Sequence, residues 1–381
     1  MKIVHIVPTY YPASYFGGPI FSTYGLCNAL AKIRGVEVRV LTTDNAGPGR
    51  RNRVPVERRL VRAECGYDVY YFPKLMSWQV SLELLVRLPG FVRWADVVHL
   101  TSVYSFPTIP ALLLARIFSK PVVWSPRGSL QRWSGTRKMF LKRLWEVTCN
   151  ALIRPGRCVL HVTSRAESEE SCMRIPRARP IVIENGIELP PVLEPRGWRP
   201  GGRIRLLYIG RLDPKKGIEN LFEALSSLDE AVTLAVCGTG DTRYVDSLKE
   251  LAKRRGIASR VDFVGEVGGQ AKAEAFRDAD VCVVPSHTEN FAVVVAEALA
   301  HGVPVIASKG TPWSGLVEHD CGLWVDNDPA SLVAAIQEIR ARDLPGMGVR
   351  GRLWVRTFSW EKIAERMWGV YQMLHKESAL A

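Results

Sequence analysis

Twice along this chain, short runs rich in Val, Ile and Leu alternate with stretches of helical periodicity, and a Pro- and Gly-rich break separates the two series. Before the break, KIVHIV, VEVRVLTT, DVYYF, DVVHL, PVVWS and CVLHVT read as strands. Helices are predicted over 19–33, near 78–94 and over about 136–153, with an Arg-rich loop over 50–62. Strands alternating with helices at this spacing make parallel βαβ units. The stretch NGIELPPVLEPRGWRPGG, at 185–202, lacks periodicity and reads as an inter-domain connection. The alternation then restarts with RIRLLYIG, a helix from Ile218, AVTLAVCG, a helix to Arg255, VDFVG and a helix to Asp278. ADVCVVPS, a helix over 291–300, PVIAS and CGLWV follow, then a last amphipathic helix over about 360–375. A chain of 381 residues is long for one core. The expected class is therefore α/β, with two Rossmann-like, doubly wound domains at 1–190 and 200–358. Ligands of such folds sit beyond the carboxyl ends of the strands, so a cleft between the halves is the expected place for a site.

Composition narrows the class. With 47% hydrophobic and 23% charged residues the chain has the make-up of a soluble globular protein. The opening KIVHIVP carries a His, ends at a Pro and is too short for a secretory core. No apolar run approaches the roughly 18 residues of a membrane-spanning helix; ALLLARIF comes nearest and Arg116 interrupts it. Eight cysteines lie scattered without a CxxC pair, which points to free thiols in a reducing cytosol and away from a metal cluster. Charge is uneven: residues 1–190 hold 27 Lys and Arg against 13 Asp and Glu, and the rest hold 24 against 25. A basic first half attracts phosphates, of nucleic acid or of an anionic membrane.

Three stretches carry chemistry. In YFGGPIF, Gly17 and Gly18 precede a helix that opens at Pro19. Glycines there let a ligand approach the backbone, and the free amides of a helix start favour an anion; a plain loop explains the pair as well. It is not a GxGxxG fingerprint, and a nicotinamide cofactor is disfavoured. In YIGRLDPKKGIENL, Arg211 and Lys216 follow a strand and precede a helix start, as a socket for a diphosphate or as solvated loop charges. In SHTENFAVVVAEALAHGVPVIAS, Glu289 lies at the mouth of a helix and Glu297 two turns inside it. A buried carboxylate without a partner costs several kcal/mol, so something must meet those oxygens. Carboxylates suit a polyhydroxyl ligand, because each accepts two hydrogen bonds from vicinal OH groups. The amides near Phe291, Ala292 and Val293 are left over by the helix for a phosphate.

Together GRLDPKKG, the Glu-x7-Glu helix ending EALAHGVPVIAS, and VIENGIE resemble the retaining family 4 glycosyltransferases. FGGP, VVWSPRGSL and TPWSGLVEHDCGLWV fit the bacterial cell-surface polysaccharide branch of that family. The likeness covers nearly the whole chain. It implies a GT-B fold: two Rossmann-like domains facing across a cleft, acceptor on the first, donor nucleotide sugar on the second, and a helix at 359–381 crossing back onto the first. It assigns Arg211 and Lys216 to the donor diphosphate, Glu289 to the transferred sugar and Glu297 to the nucleotide ribose. Asn290, Phe291, Ala292 and Val293 line the donor at the helix mouth, backbone near Glu266 and Val267 meets the base, and Gly17 and Gly18 close over the reaction centre. Two positions depart from the commonest pattern. Arg127 stands where many relatives have His; a guanidinium is no base near neutral pH, so it is expected to hold a phosphate or sugar oxygen. Ala292 replaces a usual Gly, and its methyl narrows the sugar pocket.

The expected reaction moves a hexose-type sugar from a nucleoside diphosphate to an acceptor hydroxyl with retention, without a cofactor and without a metal, since cations are already supplied and no DxD-like cluster appears. The expected acceptor is a glycan, lipid-diphosphate-linked, of envelope polysaccharide (O-antigen or exopolysaccharide) assembly. From Arg127 to Arg157 there are eight Lys and Arg and one acidic residue, Glu146, spaced as in a basic helix lying on a surface. The protein is thus expected in the cytoplasm, peripheral on the inner face of the membrane, with no nucleic acid as partner. Two alternatives stand beside this: another GT-B enzyme, such as a nucleotide-sugar epimerase or a phosphorylase, and a non-enzymatic basic Rossmann-type binder.

Overall fold

The computed structural model describes residues 1–49, 51–56, 59–75, 80–131, 139–190, 197–198 and 203–380. Parts of the Arg-rich loop, of the segment before the basic helix and of the 185–202 connection lie outside them. The chain divides into two compact units, Met1–Gly186 with Trp360–Ala381, and Ile187–Ser359.

The first unit runs β1 (Lys2–Ile6), α1 (Gly18–Ala31), β2 (Glu37–Thr43), β3 (Leu60–Arg62), β4 (Asp68–Phe72), α2 (Leu82–Trp94), β5 (Val97–Thr101) and α3 (Thr108–Ile117). It continues with β6 (Val122–Ser125), α4 (Met139–Leu152), β7 (Cys158–Val162), α5 (Arg165–Arg174) and β8 (Arg179–Val182). The sheet order is β3-β4-β2-β1-β5-β6-β7-β8, parallel except for β3. The three-residue β3 corrects the expectation of an uninterrupted loop over 50–62. The helix expected near 78 starts at Leu82, where the Ser81 side chain caps it by accepting the Leu84 amide. The central strands β5 and β7 are buried along their whole length, as strands covered on both faces should be.

The C-terminal helix, Trp360–Leu380, packs on α1. Its Ile363, Met367, Tyr371 and Leu374 join the core with Leu26 and Leu30. Trp360 lies so close to Gly25 and Gly186 that a methyl at either would fall 2.2 Å from the indole. Two buried histidines, His99 and His161, cross this sheet in one hydrogen-bonded chain. Tyr371 Oη meets His99 Nδ1 at 2.6 Å, His99 Nε2 meets Ser125 Oγ at 2.7 Å, Ser125 Oγ meets His161 Nδ1 at 2.8 Å, and His161 Nε2 reaches the Ile183 carbonyl at 2.9 Å. Burial lowers the pKa of both rings and keeps them neutral; because the Ile183 carbonyl can only accept, each then carries its proton on Nε2 and every donor points the same way. His5 stacks on His99 at 4.3 Å.

The second unit runs β9 (Ile204–Ile209), α6 (Ile218–Ser226), β10 (Val232–Cys237), α7 (Thr242–Arg254), β11 (Val261–Gly265), α8 (Gly269–Asp278), β12 (Val281–Val284) and α9 (Val293–Ala300). Then come β13 (Val305–Ser308), α10 (Gly315–Glu318), β14 (Gly322–Val325), α11 (Pro329–Arg340) and α12 (Leu344–Val355). Its parallel sheet is ordered β11-β10-β9-β12-β13-β14, the doubly wound arrangement whose order reverses between β9 and β12. Ile187 goes with this unit: it is buried in its core, and its amide donates to the Phe358 carbonyl at 2.9 Å. All eight cysteines are free thiols and six are buried. Among the described residues no helix is long and apolar enough to cross a membrane.

Candidate active site

The loops leaving β9 and β12 meet at the reversal point of the second sheet. The first, Gly210 to Gly217, is held from below: buried Tyr208 donates its hydroxyl to the Arg211 carbonyl at 2.8 Å, and burial pushes that phenol well above its ordinary range. Asp213 accepts the Lys215 amide at 3.0 Å and opens a short turn, Pro214–Lys216. Two glycines let backbones touch. Gly217 has φ 63°, and a methyl there would lie 2.3 Å from the Pro285 carbonyl; a methyl on Gly238, which follows β10, would lie 1.8 Å from the Gly210 carbonyl. The Gly238 amide donates to Gly265 at 2.6 Å, which brings the turn with exposed Glu266 and half-buried Val267 beside it.

The second loop is fixed by its backbone. His287 N donates to the Lys215 carbonyl at 2.9 Å and Glu289 N to Gly310 at 2.8 Å. Glu289, with 14% of its side chain exposed, receives the Ser286 hydroxyl at 2.9 Å and the Lys216 ammonium on the same Oε1. Lys215 stands half-buried nearby; burial lowers its pKa, and Glu289 opposes that shift. Arg211 is exposed at the start of the same loop, and Asn290 is half-buried after Glu289.

The helix expected from Phe291 begins at Val293, because Ala292 takes φ 58°, ψ 67° and breaks the helical path. That left-handed position favours Gly and is strained for Ala. It is held by Phe291, whose carbonyl accepts the Trp313 indole N–H and whose ring packs on Trp313 at 5.0 Å, with Phe358 behind. The Val295 amide donates to the Ala292 carbonyl at 3.0 Å, and the amides of Val293 and Val294 precede the first intrahelical acceptor. One turn further along the helix, Glu297 pairs with Lys272 of α8 at 2.6 Å. Each of the two carboxylates thus has its own lysine, and among the described residues they share no partner. Lys272, Lys215 and Ser286 escaped the sequence reading: their carboxylate partners lie on other segments or, for Ser286, behind a loop with no periodicity. A cavity of about 810 Å³ opens at the far end of α9, by His301, Arg277 and Arg352, away from these groups.

Gly17, Gly18 and Arg127 belong to the other unit. Gly17, at φ 64°, caps α1 with its amide on the Ser14 carbonyl at 2.8 Å, and space is open around Gly18. Arg127, at φ 54°, donates to Asn185 Oδ1; burial draws its pKa down to about 10, against the pull of Glu167.

Chemically, the second-unit site offers cations and a helix start to an anion, and a carboxylate, Glu289, that can receive hydroxyl groups. Comparisons with known proteins identify the family of the two domains. Residues 17–186 match the glycosyl transferase 4-like domain and residues 195–343 the glycosyl transferases group 1 domain. A GDP-mannose-dependent alpha-mannosyltransferase of Mycolicibacterium smegmatis is 33% identical over 322 residues, 79% of this chain and 80% of that one. Other curated relatives, D-inositol 3-phosphate glycosyltransferases among them, are matched over about half their length, from 41% to 57%. The fold is that of sucrose-phosphate synthase from Thermosynechococcus elongatus (TM-score 0.72, 22% identity, 98% and 99% of the two chains). It is equally that of Anabaena HepE in complex with UDP-glucose (TM-score 0.71, 18% identity, 98% and 100%).

Proposed function

The chain belongs to the family 4 glycosyltransferases of GT-B fold, and we propose that it moves a hexose-type sugar from a nucleoside diphosphate to a glycan acceptor with retention of configuration. The observation that carries this reading is the Lys216–Glu289–Ser286 constellation at the mouth of α9. Lys216, Arg211 and the α9 amides hold the diphosphate, Glu289 and the backbone of Asn290 to Val293 the sugar, and Glu297 the ribose. The base lies along Glu266 and Val267. The anomeric C–O bond to the β-phosphate breaks while the acceptor oxygen bonds to the same face, and the acceptor proton passes to the departing phosphate. The fixed cations stabilise the charge that develops on it, so the reaction needs no metal. A bound nucleotide sugar of the complexed neighbour supports the donor class.

The test is thermal unfolding against UDP, GDP, ADP and their sugars, with and without EDTA. A nucleotide at 100 times its Kd should stabilise by about 2.7 kcal/mol and raise the midpoint by several degrees whether or not EDTA is present. A shift abolished by EDTA removes the metal-independent donor site; no shift from any nucleotide, together with no consumption of any nucleotide sugar, removes the reading.

The acceptor we place at a membrane surface, lipid-diphosphate-linked and part of envelope polysaccharide assembly. Helix α4 supports it: Phe140, Leu141, Leu144 and Val147 are exposed beside Lys142 and Arg143, while Glu146 is buried and bonded to Tyr104. Arg137 and Lys138 lie outside the described residues. Apolar side chains among cations suit an anionic leaflet, at roughly 1 kcal/mol per cation. Changing Arg137, Lys138, Lys142 and Arg143 all to Gln is expected to reduce sedimentation with phosphatidylglycerol vesicles at least tenfold; unchanged sedimentation overturns the placement.

A further inference from the structure

Helix α9 joins two different places. It starts at Val293, in the mouth where Glu289 stands, and the His301 and Gly302 that follow it line the cavity of about 810 Å³ at its far end. Small residues hold α12 against that end: a methyl on Gly348 would fall 2.3 Å from the Gly302 carbonyl, and one on Gly351 2.7 Å from Leu299. Pro345, Val349 and Leu353 are spaced four apart and make one row of α12 along the cavity. Val349 and Leu353 are exposed although apolar. The backbone stays helical through Arg356, at φ −58°, ψ −22°, so Arg352 and Arg356 lie one turn apart on the same side and border the same cavity. Ala273 and Arg277 line it from α8, and Pro190 and Trp198 from the connection.

Charge here is unbalanced. The arginines just before these in sequence each pair with a carboxylate: Arg340 with Asp229 at 2.7 Å, and Arg342 and Arg350 with Asp320 at 3.3 and 2.8 Å. Arg352 donates instead to the neutral Pro190 carbonyl at 3.1 Å, and among the described residues neither it nor Arg356 has an ion pair. Like charges one turn apart repel. Arg277 is engaged with Asp278 at 3.3 Å, and Glu274, which also lines the cavity, accepts from Gln270 at 3.2 Å. A largely apolar cavity of roughly 300–1,000 Å³ with a few placed polar groups is the usual form of a small-molecule site.

We propose that this cavity is a second binding site, for an amphiphilic anion. Its apolar body lies against Val349, Leu353, Ala273 and Trp198, and a single phosphate or carboxylate head sits on Arg352 and Arg356. A guanidinium matches either head in geometry and charge. The site is at the opposite end of α9 from Glu289 and does not depend on the transferase reading.

The experiment is isothermal titration calorimetry on the full chain with Arg137, Lys138, Lys142 and Arg143 changed to Gln, which removes the basic apolar surface of α4 as a competitor. Decyl phosphate, decanoate, decanol and inorganic phosphate are titrated in turn, below micelle formation. Decyl phosphate, decanoate or both should bind once per chain, and decanol and inorganic phosphate at least about tenfold more weakly. Binding of decyl phosphate alone assigns a phosphate head, and of decanoate alone a carboxylate. Val349→Glu, which sets a carboxylate in the cavity, should weaken binding at least about tenfold, and so should Arg352→Gln with Arg356→Gln. Val349 and Arg356 are exposed, so the melting midpoints should stay within a few degrees; if the double arginine variant fails to fold, Val349→Glu decides. Lys216→Ala should leave the affinity unchanged. No binding of either anion, equal binding of decanol, an affinity unmoved by Val349→Glu, or a tenfold loss in Lys216→Ala overturns the site.

Discussion

Lys216→Ala is expected to lower turnover by about 10²–10³, the effect of about 2.7–4 kcal/mol on the barrier when one preorganised charge-stabilising group is removed. The side chain is 26% exposed and, among the described residues, its ion pair is with Glu289, so its loss leaves the second core untouched. Glu289 keeps the Ser286 hydroxyl. The melting midpoint should therefore stay within a few degrees of wild type while nucleotide-sugar consumption collapses. A rate within tenfold of wild type, in a protein that melts normally, removes the role of the lysine in holding the diphosphate.

Acid should unfold the first unit earlier than its carboxylates alone require. His5, His99 and His161 are 0%, 1% and 2% exposed. Burial draws His5 down to about 3 and the other two well below 6.5, helped by the mutual repulsion of protonated rings and by Arg127. The unfolded chain binds these protons near 6.5 and the folded chain does not, so their contribution is full above that pH and is lost as pH falls toward the folded values. Each group contributes about 1.4 kcal/mol per pH unit in that window. All three together give a loss of about 4 kcal/mol between pH 7.5 and 5.5. Urea unfolding at the two pH values measures it, and His161→Gln should reduce the slope by about a third. Equal stability at pH 7.5 and 5.5 would show that the chain of imidazoles is not held neutral.

Why was so much of this readable from sequence, and where did it stop? The strands of the two sheet interiors announce themselves because both faces are covered, so VVHLT and VCVV are apolar throughout. Edge strands carry no such signal: β8 reads RPIV, with a Pro and two exposed residues, and β3 is exposed at both ends. Helix α5, RAESEESCMR, escaped because its polar sequence has scarcely an apolar face. At the site, Glu289 and Glu297 stood out as charges in an apolar stretch, and the demand that something meet them was correct: Lys216 and Lys272 do. The identity of Lys272 was hidden because α8 and α9 are joined only in space. The methyl of Ala292 was visible as a departure, whereas its backbone strain belongs to φ and ψ and has no signature in residue order.

The first unit ends its sheet at β8 but is not closed there. Tyr371, which heads the histidine chain, and Trp360, which fills the space over Gly25 and Gly186, arrive after the whole second unit has been made. On the ribosome, at about 5–20 residues per second, the amino-terminal half therefore waits with an open face, while Ile187–Ser359 is contiguous and complete in itself. The order of synthesis and the order of closure are thus opposite: the unit begun first is the one finished last.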